Sequence, residues 1–238
     1  MKNIQILGIL IMLFTACGRE QKQKIVHSNN GDKKVVTIKK DTTRIPVADL
    51  PVHIDSTNYL LHPIGDYEIG NNRGKLRYSS SVSRVDDFSI SNFGGSSITG
   101  NLDNIMFQRL DSDKLLPLTH KTIKIQSLTF LRQIFNTTKR QLLIYKVIDK
   151  DTNQDGRLDS NDIHTLYISK IDGTKFKKLT DPNKEIIDWK IIQSLNRLYF
   201  RSIEDTNEDG IFDSKDRIHY KYVALNTDKL KVVEYHPI

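Results

Sequence analysis

Leu166-Tyr167-Ile168-Ser169-Lys170-Ile171-Asp172-Gly173, followed by Phe176-Lys177-Lys178-Leu179-Thr180, matches Ile105-Met106-Phe107-Gln108-Arg109-Leu110-Asp111-Ser112, followed by Leu115-Leu116-Pro117-Leu118-Thr119. Each copy is an apolar run rich in β-branched or aromatic residues, a tight polar turn, and a second run closing on Leu-Thr, which predicts a repeated antiparallel hairpin. A further strand pair follows each copy. Ile123-Lys124-Ile125-Gln126 and Leu142-Leu143-Ile144-Tyr145 follow the first, and Ile186-Ile187-Asp188-Trp189-Lys190-Ile191 and Arg197-Leu198-Tyr199-Phe200 follow the second. Tyr59-Leu60-Leu61 and Tyr220-Lys221-Tyr222-Val223 have the same character, and no long 3.6-residue periodicity competes. The expected fold is therefore all-β, built over residues 50–238 from antiparallel four-stranded repeats. Residues 65–103 are polar and glycine-rich, including Phe93-Gly94-Gly95-Ser96-Ser97, and read as loops with a few weak strands.

Between the strands lies a second duplication. Asp151-Thr152-Asn153-Gln154-Asp155-Gly156-Arg157-Leu158-Asp159-Ser160-Asn161-Asp162 recurs as Asp205-Thr206-Asn207-Glu208-Asp209-Gly210-Ile211-Phe212-Asp213-Ser214-Lys215-Asp216. Side-chain oxygens stand at positions 1, 3, 5, 9 and 12 of both: Asp151, Asn153, Asp155, Asp159 and Asp162, then Asp205, Asn207, Asp209, Asp213 and Asp216. A hard cation such as calcium takes six to eight oxygens at roughly 2.4 Å, and the chain must wrap sharply to present them. Gly156 and Gly210 at position 6 permit that turn, the carbonyls of Arg157 and Ile211 fill position 7, and Leu158 and Phe212 at position 8 pin each loop to the core. The first loop carries four Asp against one Arg, and the second four Asp and one Glu against one Lys. Such charge is self-repulsive unless a cation offsets it. Two calcium sites are expected, the alternative being a pair of empty Asp/Asn turns tipped with glycine.

Two resemblances sharpen these readings. The pattern of strand, Asp-Gly turn, strand and Leu-Thr over about residues 104–238 resembles blades of the periplasmic propeller of the Tol system. It implies a partial or small propeller-like body, since closure takes at least about four blades. The loops resemble the EF-hand family, and within it the dockerin and thrombospondin type 3 loops, through their D-x-[DN]-x-D-G spacing. Asp162 and Asp216 stand where an EF-hand has glutamate, one methylene shorter, which implies weaker bidentate coordination. Strand-like residues flank both loops, as in Ile163-His164-Thr165-Leu166-Tyr167 and Ile218-His219-Tyr220, so the ion geometry is expected without the flanking helices.

The amino terminus reads differently. Lys2 is a short positive region, Ile4 to Phe14 is an apolar run interrupted by Gln5 and Gly8, and Thr15 and Ala16 lead into Cys17, the single cysteine. That run is too short to span a bilayer and has the anatomy of a cleaved signal. Leu13-Phe14-Thr15-Ala16-Cys17 resembles the bacterial lipobox, with Phe14 in place of the usual leucine, which implies removal of residues 1–16 and acylation of Cys17. An ordinary secretory signal with an incidental cysteine is the alternative. One thiol offers no intramolecular disulfide, and two or three acyl chains give a stable anchor. Gly18 after the cysteine resembles an outer-membrane sorting pattern, which implies a cell-envelope location with the face left open. From Arg19 to Arg44 eight Lys or Arg stand against three acids, so residues 17–49 read as a basic tether, either a solvated spacer or a segment touching anionic headgroups.

Nothing resembles a nucleic-acid motif, although the chain carries a net charge of +7. No nucleophile or carboxylate pair outside the loops stands at a catalytic spacing, and His164 and His219, which follow the two loops, read as strand residues. Trp189, the lone tryptophan, is a core residue or a sugar-stacking platform. Two functions from different classes follow. One is a non-catalytic, calcium-stiffened lipoprotein scaffold that binds a protein or glycan. The other is an enzyme or enzyme subunit acting on envelope or external polymers, its site within residues 50–103.

Overall fold

The computed structural model describes residues 22–27, 38, 44–68, 91–93 and 96–238, with backbone alone at 67–68 and 91–93. Cys17 and the signal-like residues 1–16 lie outside the described residues, as do residues 69–90. No described helix is long and apolar enough to cross a membrane.

The described chain is all-β with one short α-helix, as the strand pattern predicts, and every strand pairing is antiparallel. In chain order the first sheet holds β1 (Arg44–Ala48), β2 (Val52–His53), β3 (Tyr59–Glu68), β6 (Asn104–Arg109) and β7 (Leu115–Pro117). The second holds β4 (Ser91–Phe93), β5 (Ser97–Leu102), β8 (Lys124–Phe130), β9 (Leu142–Ile148), β10 (Thr165–Lys170) and β11 (Lys177–Lys178). The third is a four-stranded meander, β12 (Lys184–Ile192), β13 (Arg197–Glu204), β14 (Arg217–Ala224) and β15 (Val232–Tyr235).

The repeat maps onto this order. The two Leu-Thr hairpins are β6-β7 and β10-β11, and the strand pairs that follow them are β8-β9 and β12-β13. Four strands per sheet holds only for the third sheet. The first has five strands and the second six: β1, from the span read as a tether, and β2 add to the first, and β4 and β5, from the span read as loops, extend the second. Among these, β5 is no weak strand: Ile98 and Leu102 are fully buried, since its pairing with β8 points them into the core.

Packing explains the sheet order. Alternate residues of a strand face opposite sides, and β9 is buried on both. Leu143, Tyr145 and Val147 join Leu61, Ile105 and Phe107 of the first sheet in one core, while Leu142 and Ile144 join Leu198, Phe200 and Val223 of the third sheet in another. The second sheet thus lies between the other two. Helix α1 (Arg132–Thr138), which follows β8, buries Ile134 against the second core. Its N-cap, Leu131, makes no side-chain capping bond, and Lys139 ends it in the left-handed region at φ 61°. Seven residues give a helical pattern too little length to compete with strand signals on either side.

Candidate metal centre

The first acidic loop joins β9 to β10 and the second joins β13 to β14, equivalent strands of neighbouring sheets. Each loop folds around its own side chains. In the first, Asp151 accepts from the N–H of Gly156 at 2.9 Å and of Asp155 at 3.2 Å. Asn153 Oδ1 accepts from the Asp155 N–H at 3.1 Å, Asp155 from the Arg157 N–H at 2.9 Å, and Asp159 from the Asn161 N–H at 2.8 Å. Asp162 closes the loop, taking the Thr152 N–H at 2.7 Å on one oxygen and the Asp159 N–H at 3.1 Å on the other.

The second loop repeats the frame. Asp205 accepts from the Gly210 N–H at 2.7 Å, Asn207 from the Asp209 N–H at 3.2 Å, and Asp209 from the Ile211 N–H at 2.8 Å. Asp213 accepts from the Lys215 N–H at 2.8 Å, and Asp216 takes the Thr206 N–H at 3.0 Å and the Asp213 N–H at 2.9 Å. Backbone signs agree as well. Gly156 and Gly210 have φ of 83° and 82°, and at position 4 Gln154 and Glu208 both have φ of 59°. The two glycines answer the sequence reading. The left-handed Gln154 and Glu208 were not foreseen, because neither residue type advertises positive φ.

Burial differs between the copies. Asp162 is wholly buried, and this burial, added to by Asp151 and opposed by the N–H bonds of Asp159, Thr152 and Asn153, lifts its carboxyl above the ordinary range. Asp155 and Arg157 are exposed, and Asp151, Asn153 and Asp159 are half-buried. In the second loop Asp205 is the buried member, Asn207 is exposed, and Asp209, Ile211, Asp213 and Asp216 are half-buried. One oxygen of Asp205 bonds Gly210 and lies 2.8 Å from His27 Nε2, while Oδ1 is buried without any hydrogen-bond partner. An orphaned anionic oxygen at a loop's first position is costly unless a cation meets it.

The donors in both loops are carboxylate, amide and carbonyl oxygens, the set a hard cation selects. Among the described residues no three His, Cys, Asp or Glu side chains are gathered into a metal-holding cluster. In both loops, carboxylates of the repeated frame turn oxygens toward backbone N–H groups of their own turn. Each such oxygen retains a second lone pair, except Asp205 Oδ2, whose second position is taken by His27.

The unforeseen element is the segment 22–27, within the span read as a tether. Lys24 donates its N–H to the Gly210 carbonyl at 2.8 Å, Val26 donates to the Thr152 carbonyl at 2.9 Å, and Thr152 Oγ1 donates to the Lys24 carbonyl at 2.6 Å. Gln23 Nε2 donates to the Asp209 carbonyl at 2.8 Å, and Ile25 is buried. Residue type hides this docking, since a long-range strap leaves no local periodicity.

Charged pairs surround the loops. His164 Nδ1 lies 2.9 Å from Glu185 Oε1 and the His164 N–H donates to Glu185 Oε2 at 2.9 Å, with Lys24 Nζ 3.1 Å from the same carboxylate. Burial raises the Glu185 carboxyl, but the bonds and charge of His164 and Lys24 outweigh it and hold it below its ordinary value. His219 lies 2.7 Å from both Glu204 and Glu234. Both histidines are thus tied to structural carboxylates of the strands. Away from the loops, a cleft of about 380 Å³ is lined by Phe130, Leu131, Arg132, Gln133, Trp189 and Ile191. Trp189 also packs on the second core. The chain matches no protein-family model and no curated protein.

Proposed function

We propose that the protein is a non-catalytic, calcium-binding lipoprotein of the bacterial cell envelope, a β-scaffold that presents a binding face to a protein or glycan. The observation that carries the calcium reading is the duplicated frame. Two segments far apart in the chain adopt the same hydrogen bonds and the same left-handed positions 4 and 6, and one of them buries an unpartnered carboxylate oxygen. Calcium would be held by Asp151, Asn153, Asp155, Asp159, Asp162 and the Arg157 carbonyl, and by Asp205, Asn207, Asp209, Asp213, Asp216 and the Ile211 carbonyl. Bound there, it supplies charge compensation and stiffness to the β9-β10 and β13-β14 connections.

Three antiparallel sheets, the middle one buried on both faces, support a blade-like reading of the repeats. The Trp189 cleft, with Arg132, Gln133 and Lys190 at its walls, supports the binding role, because an aromatic face beside polar donors suits a sugar or a peptide. Anchoring rests on the lipobox-like Leu13–Cys17, and no nucleic-acid partner is proposed.

Calcium titration decides the reading. Binding to the folded state alone stabilises it by about 2.7 kcal/mol per site at a hundredfold excess over the dissociation constant. Chelation should lower the melting temperature of the native chain clearly, and of Asp151→Ala combined with Asp205→Ala much less. A melting temperature indifferent to calcium and chelator would make the loops empty acidic turns. Fatty-acid labelling that persists in Cys17→Ala would remove the anchor.

A further inference from the structure

We infer that the segment Gln23–His27 is a strap whose docking is thermodynamically linked to calcium in both loops, so that calcium sets how closely the domain is held to its anchor. The inference rests on the calcium and lipid readings above. The strap touches both loops at their metal-shaping backbone: Lys24 bonds the carbonyl of position 6 in the second loop, and Val26 bonds that of position 2 in the first. Thr152 Oγ1 is shared, donating to the Lys24 carbonyl and receiving the Ile163 N–H at 2.9 Å as the first loop closes. His27 lies 2.8 Å from Asp205 Oδ2, the oxygen partner of the unpaired Oδ1. Gly210 has no room for a side chain because a Cβ would meet the Ile25 carbonyl at 2.5 Å. Strap and loops therefore share one arrangement, and whatever orders the loops favours docking of the strap.

Linkage makes the effect reciprocal: the factor by which calcium favours docking equals the factor by which docking raises calcium affinity. The consequence for anchoring follows from chain length. With the strap docked, the reach from Cys17 to the body at Lys22 is about 18 Å at most. With it released, the first described strand begins at Arg44, and chain length sets the upper bound on the reach at about 90 Å.

The test uses the full-length chain in detergent, with calcium as ligand, trypsin cleavage after Lys24 as the docking probe, and calorimetry for calcium. Calcium should slow cleavage after Lys24 by about tenfold or more, within the usual range of coupling between sites. Ile25→Asp should abolish that protection and weaken calcium binding by a matching factor. Val26→Pro, which removes the N–H donated to Thr152 at an exposed side-chain position, should lose part of both. Calcium binding by the native chain with unchanged cleavage, or native affinity in Ile25→Asp, overturns the strap and leaves the calcium reading standing. Absence of calcium binding overturns both.

Discussion

The two acidic loops share eight residue identities in twelve and one hydrogen-bond frame, yet they are fastened to the molecule differently. The first is rooted at its close and at position 2. Asp162 has no exposed surface, Leu158 and Ile163 are buried, and Thr152 at position 2 is buried under the strap. The second is rooted by its start, through buried Asp205 and its contact with His27, while Thr206 is exposed and Asp216 and Phe212 are half-buried. A loop motif thus fixes its own turn, but the surrounding sheets decide which of its carboxylates leaves water. That choice determines which substitutions are costly.

The largest difference is expected at position 12. Asp162→Ala leaves the N–H groups of Thr152, Asn153 and Asp159 without their acceptor in a dry site, a loss of about 3 kcal/mol or more. Asp216→Ala, where water can replace the carboxylate, should lose about 1 kcal/mol. Urea unfolding of both variants in chelator isolates the frame from the ion, and equal losses would erase the asymmetry.

Position 6 comes next. Gly156→Ala and Gly210→Ala both force a side chain to φ near +80°, and Gly210→Ala adds the clash with the Ile25 carbonyl. We expect about 1 kcal/mol for the first and about 2 kcal/mol for the second, with strap cleavage accelerated only by the second. Position 8 should follow the same asymmetry in reverse. Leu158 is 8% exposed, so Leu158→Ala should lose about 2 kcal/mol, whereas the half-buried Phe212 should lose less than its size suggests.

The smallest effect concerns acid. Glu185, beside His164, Lys24 and Lys146, is held below its ordinary value in the folded chain. Its contribution is therefore present above the unfolded value, 4.5, and is lost as pH falls through the folded one. Thermal melts at descending pH should show the native chain losing stability below that point, and Glu185→Gln losing less there. Glu204→Gln beside the more exposed His219 pair should change the profile less, and identical profiles would mean the two histidine sites are equivalent.

How much of this was legible in the residues follows from range. Runs such as Leu142–Tyr145 and Arg197–Phe200 name strands because strand preference is carried by side chains on a pleated surface. The duplicated loop frame was legible because its oxygens, a glycine and their spacing lie within twelve consecutive residues. Helix α1 was not, since seven residues without a capping side chain carry no start signal. Strand β5 was hidden by Thr99, Gly100 and Asn101, polar or small residues between its two buried anchors.

By itself the sequence determined the all-β class, the repeated hairpins and the conformation-bearing residues of both loops, because each depends on near neighbours in the chain. Only the tertiary structure decided which carboxylate of each loop is buried, that extra strands join two sheets, and that Gln23–His27 lies across both loops. The last of these depends on contacts between segments more than a hundred residues apart, where burial and shape, and no local pattern, select the partner.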